Sequence, residues 1–355
     1  GSYVLLEQFD SDWTTAHYPL DGNGNLYQIR DDEDTGDEGD LRYEGSDPDN
    51  YKNTYFKQTN SSADDWSDLI ALTNTLNNSP IATYFNDVSQ VVDIDQWLRY
   101  LAVDALMGNQ EGGLTSAKGD DFALYSGVTD PRFKLVPHDL DTLMGGGNVG
   151  PSLNRSIFVY DGLNGLNEFL NHPDIVPLYY QAFLDLINTR FNPGELNPIL
   201  DRAIGGFVTE GELTNYKEFI PARITGVLAQ IPQTYSAATN LPLSAEGYHQ
   251  TQTGGLNFSG EFHAAHTRSI LVNGYAATLD ARDGTWALPV GAGGDGVIKP
   301  GLNRVVIEFY SGKSGSGEIL HREELMIWNN TGTTTAVSGT LTGGAANGDI
   351  HLTTR

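Results

Sequence analysis

The sequence predicts an α+β protein whose mixed first part is followed by a small antiparallel β-sandwich. Three observations carry this expectation. Apolar residues recur at helical spacing within residues 64–107 and again within 166–231. Short β-prone runs lie within residues 1–30 and 122–137, on either side of the first helical block. From about residue 239, Gly, Thr and Ser rise and strict alternation replaces the 3.6-residue period.

Taken in order, Tyr3-Val4-Leu5-Leu6 reads as a strand, and Asn25–Ile29 is a second strand behind the turn Asp21-Gly22-Asn23-Gly24. Residues 31–40 hold seven acidic side chains and read as a solvated acidic loop, because the spacing of an EF-hand calcium loop is not met. A helix is expected from about Trp66, with Asp64 or Ser62 as its N-cap. The strongest helix follows Asp93, where Ile94, Trp97, Leu98, Leu101, Leu106 and Met107 form an apolar stripe behind an acidic first turn. Gly108 should end it. Phe122–Tyr125 and the run into Pro137 are strands, and residues 166–231 return to helix, punctuated by Pro173, Pro177 and Pro193. In the last third, Asn273-Gly274 signals a tight hairpin and Leu302–Tyr310 alternates cleanly. The domains expected are therefore 1–240 and a sandwich over 245–330. The Gly/Thr-rich residues 331–355 read as a linker or the start of a further module.

Composition narrows the function. The net charge is −26, from 46 acidic against 20 basic residues, which opposes nucleic-acid binding, since phosphate neutralisation needs clustered Lys and Arg. With no cysteine, disulfides, thiolate nucleophiles and Cys-bound zinc are excluded. The eight histidines form no H-E-x-x-H pair, and no apolar run reaches the roughly 18 residues of a membrane span. The opening Gly1-Ser2 carries no signal peptide and is compatible with an expression scar behind a removed leader.

The richest chemistry lies in Phe133–Asp141, an apolar run ending in Pro137 and followed by Asp139 and Asp141. Alternate residues of an extended segment point the same way. The two carboxylates can therefore converge at a strand end, where their repulsion is relieved by a cation or a proton. Mg²⁺ and Ca²⁺ prefer such oxygen ligands. The plain alternative is a capped turn. Upstream, the helix runs out into Gly108-Asn109-Gln110-Glu111, and Lys118 and Asp121 precede the next strand. Glu111 as a merely solvated helix end is a poor alternative, because its charge opposes the helix dipole. For Asn109, a helix-ending role competes with ligation. A hydrogen-bond partner suffices to explain His138, a surface ion pair explains Arg99, and Trp66, Trp97 and Trp286 read as core.

This order of motifs resembles the spore-coat protein H (CotH) kinase family over about residues 3–235. The family's helix running into Gly-Asn-x-Asp is matched by Gly108-Asn109-Gln110-Glu111, its Asn-Tyr-x-x-Tyr strand by Asp121-Phe122-Ala123-Leu124-Tyr125, and its Pro-x-Asp-x-Asp by Pro137–Asp141. Tyr3–Glu7 and Gly24–Tyr27 resemble its opening segments. The resemblance implies an atypical protein-kinase-like fold that uses ATP and Mg²⁺ to phosphorylate Ser or Thr of secreted or coat proteins. It places Asp139, Asp141 and Asp121 at the metal, Glu111 and Asp139 in catalysis, and Asn109 and Lys118 at the nucleotide.

Three departures open a second reading. Glu111 stands for Asp, one methylene longer, where a misplacement of about 1 Å can cost about 100-fold. Asp121 stands for Asn and adds a charge that favours Ca²⁺ or a second metal, or weakens ATP binding. Gln28 replaces a Lys often found after Leu-Tyr, leaving Lys57 or Lys118 as substitutes. The family's upstream strands are also expected but precede residue 1. The alternative is a catalytically degenerate kinase-like surface protein, extracellular or at the cell surface, acting as a metal-binding or adhesive scaffold. In that context the sandwich resembles accessory Ig-like modules, which serve as spacers or contact carbohydrate or a cell surface.

Overall fold

The computed structural model describes residues 7–30, 39–110, 114, 121–138, 140, 142–146, 150–251, 256–291 and 295–330. The expected strand at Tyr3–Leu6 and residues 331–355 lie outside them. The architecture is mixed α and β with antiparallel sheets, compatible with the α+β expectation.

The first sheet has the order β2-β1-β3-β4, with β1 Asn25–Ile29, β2 Tyr55–Lys57, β3 Phe122–Ser126 and β4 Lys134–Pro137. Its pairings are antiparallel, with Gln28 opposite both Phe56 and Ala123, and Ala123 opposite Val136. Alternation divides the sheet into two faces. On one, Leu26, Ala123, Tyr125 and Val136 are buried under Phe9, Trp13 and Tyr18. Trp13 belongs to α1 Ser11–His17, whose first turn is capped by the Asp10 carboxylate. On the other, Tyr27, Ile29, Leu124 and Leu135 join the main core with α4 Ile94–Met107.

The α4 boundaries match the stripe and the stop at Gly108 read from the sequence, and Asp93 caps it through the Gln96 N–H. Its docking is specific. The Trp97 indole N–H donates to the Phe133 carbonyl at 2.8 Å. The Gln96 amide bonds both the N–H and the C=O of Leu135, at 2.9 and 2.8 Å, substituting for a missing strand at the β4 edge.

Two expectations are corrected. Neither Asp64 nor Ser62 caps α2 Ser67–Asn78. Asp65 accepts from the Ser67 N–H, while Asp64 adopts positive φ and binds the Trp66 indole. Of the acidic run, residues 31–38 lie outside the described residues, and Asp40 is buried rather than solvated, accepting from Asn164 Nδ2 at 2.6 Å. The structure adds a further helix, α3 Tyr84–Val91, whose buried Tyr84 and Val88 lie one turn apart.

The second helical block comprises α5 Asn164–Asn171, α6 Val176–Thr189, α7 Pro193–Ala203 and α8 Glu210–Leu228. A Thr209–Glu212 capping box starts α8. Beyond it lie two sheets. One has the order β10-β11-β7-β5, from β5 Ala238–Thr239, β7 Leu256–Glu261, β10 Thr278–Asp280 and β11 Thr285–Val290. The other has the order β6-β13-β12-β8-β9, from β6 His249–Gln250, β8 Ser269–Val272, β9 Tyr275–Ala276, β12 Gly301–Tyr310 and β13 Ile319–Asn329. Asn273 and Gly274 both take positive φ between β8 and β9, as an Asn-Gly hairpin requires. The sheets meet edge to face at Trp286 and Phe309, 6.0 Å apart.

The sheets also press against the helices, through one continuous apolar core. Arg282 lies 4.2 Å over the Phe158 ring, pairs with Asp161 at 2.7 Å and reaches Asn171. The Tyr180 hydroxyl and Gln181 amide of α6 donate to the carbonyls of Arg282 and Ala265, each at 2.7 Å. Among the described residues no helix is long and apolar enough to cross a membrane.

Candidate functional site

The exit of α4 is built around a buried carboxylate. Asp104 is 8% exposed and sits on the helix's inward face, three residues after Leu101. Its oxygens accept from Asn109 Nδ2 and from the Tyr160 hydroxyl, each at 2.9 Å. Burial pushes the Asp104 carboxyl above its ordinary range, against the lowering effect of both donors. It pushes the Tyr160 phenol up as well, so Tyr160 stays a donor.

Asn109 is 4% exposed and extends the network. Its Oδ1 accepts from Thr142 Oγ1 at 3.1 Å, and its carbonyl accepts from Arg155 Nη1 at 2.9 Å. Gln110 donates to the Gly150 carbonyl at 2.7 Å. The end of α4 is thereby tied to the segment after β4. From the other side, the Arg223 guanidinium of α8 is 1% exposed and donates to the carbonyls of Ala105, Leu153 and Arg155 at 2.8–3.0 Å. A cation on carbonyls of the last helical turn also opposes the negative end of the helix dipole.

Gly108 makes the turn possible. Its φ is +68°, and a Cβ there would lie 2.8 Å from the Phe219 ring. Asp121, just before β3, also has positive φ, at 52°, a conformation that Asp tolerates better than most residues.

The end of β4 lies where two clefts meet. One of about 660 Å³ is lined by Phe9, Trp13, Pro137, His138 and Leu140. The other, of about 480 Å³, runs along Tyr100, Val103, Met107, Pro137 and Leu140. Both volumes fall in the range of small-molecule sites. At this end Gln28 is 6% exposed. Its Oε1 accepts from Arg30 Nη2 at 2.8 Å and Gln58 Nε2 at 3.3 Å. Those donors fix the amide orientation, so its Nε2 donates to His138 Nε2 at 3.0 Å. His138 thus has the hydrogen-bond partner that its simplest reading requires.

Of the site residues named from sequence, Asn109 and Asp121 are described, whereas Glu111, Lys118, Asp139 and Asp141 lie outside the described residues. Among the described residues no group of three His, Asp or Glu could hold a metal ion. Asn109 and Asp121 supply oxygen donors of the type a hard cation takes, although the Asn109 amide is already engaged on both sides. Arg99 forms the expected surface pairs, with Asp95 and Asp185. Lys57 is placed away from Gln28: it bonds the Asp65 carbonyl and lies over the Tyr27 ring, on the opposite face of the sheet.

Sequence reasoning missed Asp104, Tyr160, Arg223 and Arg30. Asp104 left a signal, a carboxylate at i+7 from Trp97 and i+3 from Leu101 on an apolar stripe. Arg30 left a weaker one, its place two residues beyond Gln28 on the same strand face. Tyr160 and Arg223 left none, because their partners are set by tertiary packing.

Comparison with known proteins gives these residues a context. The inner spore coat protein H of Bacillus subtilis (strain 168) is 27% identical over 168 residues, covering 47% of this chain and 43% of that protein. The chain thus spans less than half the length of this relative. A family model described as CotH kinase protein matches residues 1–222, which takes in the first sheet, α4 and most of α8. The chain therefore belongs to the CotH kinase protein family.

Proposed function

We propose that this chain is a phosphotransferase that moves the γ-phosphoryl group of ATP to a Ser or Thr hydroxyl of an extracellular or surface protein. In this reading Asp139, Asp141 and Asp121 hold Mg²⁺, Asn109 and Lys118 border the nucleotide, and Glu111 orients the acceptor. The metal supplies charge neutralisation on the phosphates. The acceptor oxygen bonds to the γ-phosphorus, the bond from that phosphorus to the β-bridging oxygen breaks, and Glu111 takes the hydroxyl proton. The chain is read as a kinase-like domain over 1–240 and an Ig-like sandwich over 245–330, which offers a surface for a carbohydrate or cell-surface partner.

One observation carries the reading. The buried Asp104–Asn109–Thr142 bridge fixes the chain just before Glu111 to the chain just after Asp141, two stretches distant in sequence. Catalysis by positioning needs such a rigid frame, because phosphoryl transfer depends on alignment and electrostatics. Labelled γ-phosphate should be transferred by the wild type and not by Asp139→Ala, in assays with Mg²⁺. Equal transfer by the variant would overturn the assignment.

A second reading, the degenerate metal-binding scaffold, is favoured by Gln28, which is neutral, buried and fully engaged where the family resemblance leads one to expect a cation. Calorimetric titration separates the two. Metal-dependent ATP binding supports the phosphotransferase, and Ca²⁺ binding without nucleotide supports the scaffold.

A further inference from the structure

The face of the first sheet that carries Gln28 ends in a small polar shelf. Phe56, Gln28 and His138 share that face, and Arg30 lies in line with them. The pairing of β1 with the segment leading into β2 continues past Ile29, since the Arg30 N–H donates to the Thr54 carbonyl at 3.0 Å. Arg30 therefore projects on the same side as Gln28. Its guanidinium lies over the Phe56 ring at 5.2 Å and donates one N–H to Gln28, which in turn donates to His138. Arg30 is exposed, so its remaining N–H groups are open to solvent.

The composition of this shelf and the bracing of Arg30 suit an anionic ligand. Among the described residues the shelf of Gln28, Arg30, Phe56, Gln58 and His138 contains no carboxylate, in a chain with 46 acidic residues. Arg30 makes no ion pair with a carboxylate among the described residues, and its guanidinium is held instead by the Gln28 amide oxygen and the Phe56 ring. A planar guanidinium held by an aromatic ring and one side-chain acceptor keeps a donor edge oriented at little entropic cost. Such an edge suits phosphate oxygens.

We propose that Arg30, braced by Gln28 and Phe56, contacts the β- and γ-phosphates of the bound nucleotide. The cation is moved two residues along the strand from the position that Gln28 occupies. A Lys at position 28 would face Arg30 as a like charge and would lose the acceptor that holds it, so Gln28 and Arg30 act as a matched pair. This inference rests on the phosphotransferase reading for the identity of the nucleotide, but its test does not depend on transfer.

The experiment is calorimetric titration of the full chain with ATP, AMP and inorganic tripolyphosphate, each with Mg²⁺, into wild type, Arg30→Gln and Arg30→Lys. The expected result is ATP and tripolyphosphate binding weakened by roughly tenfold to a hundredfold in Arg30→Gln. AMP binding should be unchanged, and Arg30→Lys should restore part of the loss. Circular dichroism should be unaltered, since Arg30 is exposed. Unchanged ATP and tripolyphosphate binding in Arg30→Gln would overturn the proposal and leave Arg30 as a counter-charge for the acidic residues 31–38. If ATP does not bind but tripolyphosphate binds through Arg30, the phosphate contact stands and the nucleotide reading fails. If neither binds the wild type, both fail.

Discussion

Asp104 shows how one buried residue organises the site. It is a carboxylate inside an apolar stripe, tolerated because Asn109 and Tyr160 both donate to it. Asp104→Ala removes the acceptor from two buried donors and should destabilise the protein by about 2–4 kcal/mol, read by urea denaturation. A loss below about 1 kcal/mol would mean that water replaces the carboxylate. The pH dependence has a definite sign. Burial raises the folded-state pKa above the ordinary 3.8, so the folded protein keeps this proton to higher pH than the unfolded chain. The resulting stability is fully present below about pH 4 and is lost as pH rises through the raised value. Asp104→Asn cannot titrate, so wild type should lose stability relative to this variant over that window.

At the scale of elements, α4 is placed by its two ends. Asp93 starts it, Gln96 and Trp97 pin its first turn to β4, and Gly108 ends it against Phe219. Gly108→Ala combines the strain of a left-handed residue with a contact against an aromatic ring. The expected cost is about 2–4 kcal/mol. If the chain is the phosphotransferase proposed above, the variant should also lower phosphotransfer more than the stability loss alone explains, because the turn that leads into Asn109 must move. Denaturation and transfer rate measured on the same variant decide this, and stability within about 0.5 kcal/mol of wild type would show that the turn adapts.

At the scale of the whole molecule, the two C-terminal sheets are a packed part of the structure rather than a separate bead. Arg282 concentrates the contact, joining Phe158, Asp161 and Asn171 while its carbonyl receives Tyr180. The ion pair is partly exposed and contributes modestly, and the cation over the ring adds about 1 kcal/mol. Arg282→Ala should therefore weaken the contact by about 1–3 kcal/mol. It should also split calorimetric unfolding into two resolved transitions, while the wild type unfolds in one. A single transition in both would mean that the apolar contacts alone couple the two parts.

The sequence by itself determined the periodic elements and the family. Both ends of α4, the strands at 25–29 and 122–125, the Asn-Gly hairpin and the change to alternation near 239 follow from local spacing and turn chemistry, which a chain carries before it folds. The motif order around Asn109, Asp121 and Pro137 was enough to point to the CotH kinases. Only the tertiary structure decided how these pieces hold one another. That Asn109 grips Thr142, that Arg223 reaches across to the Ala105 carbonyl, and that Gln28 donates to His138 depend on residues far apart in the chain. Polar pairs of this kind leave no periodic trace. Their energy comes from excluding water around a donor and an acceptor at once, and that condition exists only after the surrounding core has closed.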